Sequence, residues 1–153
     1  MRKHPALLIA AVAGVLHGAA SVYWGLGGTW LLETVGDQVA EQFEGFGWLI
    51  LGVGVGKIAF ALSPLLLDGR WWRLLHWLGA GVLILWGGLN TLVINLVLAG
   101  VLRRGENYDH AAMTGHGWLW DPLFLLWGLS LAVGLWATRR SSPPFLPPGQ
   151  EAS

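Results

Sequence analysis

A lysine at position 57 stands in the middle of an apolar run, ten residues before Leu67 and eleven after Phe46. At the rise of a helix this places it roughly 15 Å from either end, near the centre of a bilayer. An ammonium there costs about 2.5–3.5 kcal/mol or more on insertion scales, so it should face the interior of a helical bundle. The chemistry open to it is that of a desolvated neutral amine, a hydrogen-bonded anchor between helices, or a cation matched to an anionic ligand. No carboxylate falls in the core of any apolar run, so an ordinary buried ion pair is not on offer. His17 lies twelve residues after Pro5, roughly 18 Å along its own helix. On an antiparallel neighbour that is the depth of Lys57, and the two can border one polar pocket. A histidine in a helix serves more often as a hydrogen-bonded core residue than as a ligand or base.

Other polar groups are less specific. Asn90, Thr91 and Asn95 fall in a third apolar run, with Asn90 roughly 24 Å along it from Leu74. Asparagine in a span commonly just bonds a neighbouring helix. Trp86, one turn before Asn90, and Trp127 can wall an apolar cavity, face lipid or fill the core. Glu106, Asp109, His110 and His116 can gather a divalent cation, but no zinc spacing is matched, and we expect no metal site. The string Gly52-Val-Gly-Val-Gly-Lys57 mimics a phosphate loop and fails the test. Leu51 stands at the first required glycine and Ile58 where Ser or Thr belongs. Cysteine is absent, which removes disulfides and thiolate chemistry.

The elements that hold these residues follow from composition. Apolar residues make up 54% of the chain and charged residues 12%, about half the charge of a soluble domain. Such a surface cannot be kept in water, which excludes a soluble enzyme and a disordered chain. Net charge is zero, which excludes a nucleic-acid binder. The chain is an integral membrane protein. Apolar runs predict four spans: Pro5 to Gly28, Phe46 to Leu67, Leu74 to Leu102, and Pro122 to Thr138. Asp121 is placed to cap the fourth, with Pro122 in its first turn. Gly14 and Gly18 in the first span, and Gly52 and Gly56 in the second, predict a close approach of those two helices. Residues 33–43, with Glu33, Asp37 and Glu41 four apart, predict a short amphipathic helix on the membrane surface.

Six basic residues (Arg2, Lys3, Arg70, Arg73, Arg139, Arg140) fall on the side of the termini, and two (Arg103, Arg104) on the other. That bias predicts both termini in the cytoplasm. Trp24, Trp30, Trp48, Trp118 and Trp120 then mark the outer interface, and Trp71, Trp72, Trp77 and Trp136 the inner one. The start Met-Arg-Lys-His, with small residues at Gly18-Ala19-Ala20, also suits a secretory signal; we read the first span as retained. Residues 1–140 form one transmembrane domain in this reading, and 141–153, with four prolines, a disordered tail.

Two strings carry a resemblance. His17 followed by Tyr23-Trp24-Gly25-Leu26-Gly27-Gly28-Thr29-Trp30, and then Trp120-Asp121-Pro122-Leu123-Phe124-Leu125-Leu126-Trp127-Gly128, resemble a family of small four-helix bacterial membrane proteins. It is common in actinobacteria and catalogued as a domain of unknown function. The likeness covers about residues 5–140. It implies a four-span protein of the bacterial plasma membrane and marks His17, Tyr23, Trp24, Gly27, Gly28, Asp121 and Pro122 as signature positions without assigning them roles.

The expected fold is an all-α four-helix transmembrane bundle. The first functional reading is a protein that binds a small anionic or lipid-like ligand in an intramembrane pocket, or transports it as a homo-oligomer. Lys57, His17, Asn90, Tyr23, Trp24 and Trp86 are the candidate ligand-binding residues. The alternatives are an accessory membrane subunit, and a membrane enzyme using His17 as acid/base or Lys57 as amine on a hydrophobic substrate. The ligand, any cofactor and any catalytic residue stay open.

Overall fold

A computed structural model describes residues 4–36, 45–105 and 108–139. The expected tail 141–153 and most of the expected surface helix, including Asp37 and Glu41, lie outside them, as does Glu106. Helix α1 spans Pro5–Gly25, α2 Gly47–Leu66, α3 Arg70–Leu98, α4 His110–Gly115 and α5 Asp121–Thr138. Among the described residues four stretches, with α4 and α5 counted as one, are long and apolar enough to cross a membrane. The chain is a membrane-spanning helical bundle.

The helix boundaries have local causes. Pro5 sits in the first turn of α1, where its missing N–H breaks nothing, and the His4 side chain accepts a bond from the Ala6 amide. Helix α3 starts a turn earlier than Leu74, taking in Arg70, Trp71, Trp72 and Arg73, and stops at Leu98 instead of Leu102. Its 29 residues are roughly 44 Å long, more than a bilayer core requires. Gly100, at φ +76°, then turns the chain, which few other residues do cheaply. Of the expected surface helix over 33–43 only residues 33–36 are described, and they belong to a 3-10 turn, Leu32–Val35, ended by Gly36 at φ +106°.

The fourth span differs most from its sequence reading. Asp121 caps nothing. The cap belongs to Asp109, which accepts from the Ala112 amide at 3.0 Å and starts α4. The chain then runs without a break through a π turn, His116–Trp120, into α5. The cause is Pro122. Its ring crowds the carbonyl four residues back and it has no N–H to give, so the helix widens by one residue instead of ending. The Asp121 amide bonds back to the His116 carbonyl, five residues away.

The helices pack in the order α2, α1, α5, α3, with α2 and α3 the outer pair and scarcely in contact. Helix α1 is therefore covered on two sides. Its buried face is a run of small residues, Ala6, Ala10, Ala13, Gly14 and Gly18, with His17 and Ser21 among them. The expected glycine contact exists, but with a different partner. A methyl group on Gly18 would lie 2.9 Å from the Gly54 carbonyl and 2.7 Å from Ile58, so Gly54 is what lets α2 approach. Gly52 and Gly56 face open space, because two residues along a helix is just over a half-turn.

Near the end that carries the termini, Leu7, Ala10, Ala13, Ala61, Ala80, Trp127, Leu131 and Leu135 form the apolar core. Here alone α2 and α3 meet, through Phe60 against Gly79 and a 2.8 Å bond between Ser63 Oγ and His76 Nε2. Trp71, Trp72, Trp77 and Trp136 are exposed at this end, and Trp30, Trp48 and Trp118 at the other, as two aromatic belts. Trp120, expected in a belt, is buried instead.

Candidate functional site

Beyond the level of Phe60, α2 and α3 separate, and a cavity of about 300 Å³ opens between them. Its floor is α1 and the start of α5. His17, Ser21 and Trp24 come from α1; Leu49, Ile50, Val53 and Lys57 from α2; Trp86 from α3. The π turn and the first turn of α5 add His116, Trp120, Asp121 and Phe124, and Val35 closes one end. The volume suits a small ligand, and most of the lining is apolar or aromatic with a few convergent polar groups.

Lys57 reaches this cavity because it follows Gly54 by three residues, on the face of α2 turned to α1. Its Nζ donates to Ser21 Oγ at 3.0 Å and meets His17 Nδ1 at 3.3 Å. It also lies 5.6 Å from the centre of the Phe124 ring, over its face. Ser21 is one helical turn beyond His17, so one stripe of α1 supplies both partners. The His17 ring is 5% exposed and packs 3.9 Å from the Phe124 ring centre. Its Nε2 is buried with no hydrogen-bond partner.

Where the π turn meets α5, His116 Nδ1 and Asp121 Oδ2 are 3.2 Å apart. In an α-helix, residues five apart point in different directions; the i→i+5 bonding of the π turn brings them to one face. A π turn inside an α-helix is frequent at functional sites. Asp121 is 1% exposed, and its Oδ1 has no partner. A carboxylate therefore lines the same cavity as Lys57, contrary to the expectation that the spans held none. The reason is that Asp121 lies inside a continuous helix, not at a solvated cap.

The aromatic walls are fixed by hydrogen bonds. Trp120 Nε1 donates to Thr34 Oγ1 at 2.9 Å, and Trp24 Nε1 donates to the Trp30 carbonyl at 3.0 Å. The two indoles pack edge to face at 5.0 Å. Thr34 Oγ1 in turn donates to the carbonyl of Leu31, a residue held at φ +60° where glycine is the usual occupant. These bonds tie the 28–36 segment down over the π turn.

Of the six candidate residues, the structure brings Lys57, His17, Trp24 and Trp86 to one cavity. Asn90 and Tyr23 do not line it. Asn90 is partly buried on α3, and Tyr23 covers Gly28 while its hydroxyl accepts from the Trp30 amide at 3.4 Å. Tyr23 holds a corner of the fold. Asn95 bonds the Thr91 and Gly117 carbonyls and so joins α3 to the π turn. Ser21, His116 and Asp121 were not among the candidates. Spacing from His17 could have found Ser21; nothing in α-helical periodicity could have paired His116 with Asp121. Among the described residues, no three His, Asp or Glu side chains are grouped as a metal ion would need.

No curated protein and no solved structure matches the chain. A family model described as "Protein of unknown function (DUF3995)" matches residues 14–131, a stretch that holds every polar residue of the cavity, and the chain belongs to that family.

Proposed function

We propose that this protein binds a small lipid-like ligand inside the membrane, with the ligand's polar head at Lys57 and His17 and its apolar part leaving between α2 and α3. One observation carries the reading: a lysine, two histidines, a serine and an aspartate line a single cavity whose other walls are apolar or aromatic. A bundle built only for stability would not keep a mid-bilayer amine beside an unpartnered imidazole nitrogen, since each such group costs free energy in a low-dielectric interior. The gap between α2 and α3 faces where hydrocarbon would lie, so a lipid-soluble molecule reaches the site without crossing water. Trp86, 62% exposed, stands at that gap. With six basic residues against two, the termini lie in the cytoplasm of a bacterial cell, and the cavity is in the outer half of its plasma membrane.

A second reading, a membrane enzyme on a hydrophobic substrate, is favoured by the His116–Asp121 pair, which lines the same cavity as His17. It requires that the bound molecule change mass over time. Native mass spectrometry of protein released from membranes, wild type against Lys57→Met, tests both readings. Binding predicts a small molecule retained by the wild type and lost from the folded variant. Empty wild-type protein from every membrane source would overturn the reading.

A further inference from the structure

The end of the bundle that carries the termini gathers arginines. Arg70 and Arg73 lie three residues apart at the start of α3, neighbours on one face, and Arg139 directly follows α5. Arg73 is anchored: its guanidinium donates to the Leu135 carbonyl and to Thr138 Oγ1, in the last turn of α5. The three side chains therefore surround the junction between the start of α3 and the end of α5. Arg70 and Arg139 are exposed, and each lies over an indole, 5.8 Å from the Trp71 ring centre and 4.8 Å from that of Trp136.

Among the described residues, none of the three has a carboxylate within ion-pair distance. Asp68, the only described acidic residue at this end, is exposed and pairs with none of them. Like charges so placed repel one another, and an anion from outside relieves that repulsion. The geometry leaves donors for it. A ring on the face of a guanidinium keeps its N–H edge free, and Arg73 commits only two of its five N–H groups to α5. Such an edge matches the paired oxygens of a phosphate. The exposed Trp71 and Trp136 belong to the aromatic belt, which sets these guanidiniums at headgroup depth. Leu74 and Trp77, one turn further along α3, are exposed and apolar, as acyl chains require.

We propose that this junction binds the phosphate of an anionic phospholipid, held between the two α3 arginines and Arg139. Basic clefts between spanning helices recognise such headgroups by charge. A zwitterionic lipid brings no net charge to offset three guanidiniums. A second copy docking through this end would set arginine against arginine. The site is independent of the cavity, which opens on the far side of Phe60 and is lined by none of these residues.

The test is native mass spectrometry of the full-length protein in detergent, offered phosphatidylglycerol and phosphatidylcholine of the same acyl chains in equal amounts. Each arginine beside an anionic headgroup contributes about fivefold in affinity, so wild type should retain phosphatidylglycerol at least about tenfold over phosphatidylcholine. Arg70→Gln combined with Arg139→Gln should bring that ratio to about two or below. Both residues are exposed, so the substitutions spare the packed core. Arg139→Gln alone, which should lower the ratio about fivefold, serves if the pair does not fold. Arg103→Gln with Arg104→Gln removes the same charge from the other end and should leave the ratio unchanged. A ratio near one in wild type would overturn the proposal, as would an unchanged ratio in the folded Arg70/Arg139 variant. An equal fall in the Arg103/Arg104 variant would reduce the attraction to net charge and remove the site. Phosphatidylglycerol lost from Lys57→Met but kept by the Arg70/Arg139 variant would also overturn it, and would assign that lipid to the cavity.

Discussion

The two ends of this bundle each bury a histidine against α2, and the difference between them separates structure from function. At the terminal end His76 Nε2 bonds Ser63 Oγ, while Arg73 donates to the Leu135 carbonyl at 2.8 Å and to Thr138 Oγ1 at 3.3 Å. These bonds staple α2 to α3 and α3 to α5 around the apolar core. At the other end His17 is bonded through one nitrogen and buried without a partner at the other, beside a space that the two outer helices do not close. Polar groups that bond one another hold helices together; polar groups aimed at a cavity are held for something else.

This contrast can be broken by substitution, with stability and ligand retention scored together. Trp127, 2% exposed at the centre of the closed end, should matter most: Trp127→Ala leaves a void worth about 3–5 kcal/mol of unfolding free energy. Thermal or denaturant unfolding of the purified protein measures it. Gly54→Leu should come next. Its new side chain would meet the Val22 amide nitrogen and the Gly18 carbonyl, and overpacking of that kind costs about 1–3 kcal/mol or more. His76→Ala should cost about 1–3 kcal/mol, from the lost Ser63 bond and the space left behind, while bound ligand is retained.

Lys57→Met should invert that pattern: ligand is lost, while loss of the bonds to Ser21 Oγ and His17 Nδ1 is partly offset by removal of a desolvated ammonium, so unfolding free energy falls by less than for His76→Ala. A destabilisation as large as that of His76→Ala would make Lys57 a second staple and erase the comparison. Gly56→Leu should have the smallest effect, below about 0.5 kcal/mol, because nothing lies within 4 Å of the position. Comparing it with Gly54→Leu by the same unfolding assay separates the face of α2 that packs from the face that does not.

Much of this arrangement can be read from the chain alone, and what cannot has identifiable causes. The spans are legible because hydrocarbon imposes length and polarity without regard to detail. The meeting of His17 with Lys57 follows from counting residues along antiparallel helices, since helical rise is fixed. The glycine contact was misplaced by two residues because Gly52, Gly54 and Gly56 alternate, and apolar composition all round α2 hides which face packs. Asp121 looked like a cap because Asp-Pro commonly opens a helix. Only the π turn makes it a buried carboxylate opposite Lys57, and that turn breaks the periodicity on which sequence reading depends. The same irregularity brings His116 to the cavity, whereas Asn90, placed by depth alone, falls outside it.

The central claim is that the space between Lys57 and Asp121 belongs to a ligand. An experimental density map of the protein in lipid nanodiscs, made from native membranes without delipidation, tests it directly. The account predicts elongated density, its head within hydrogen-bond reach of Lys57 Nζ, its tail passing Trp86 between α2 and α3. A collapsed cavity in which Asp121 Oδ1 bonds His17 Nε2 directly, or one holding only water, would contradict it.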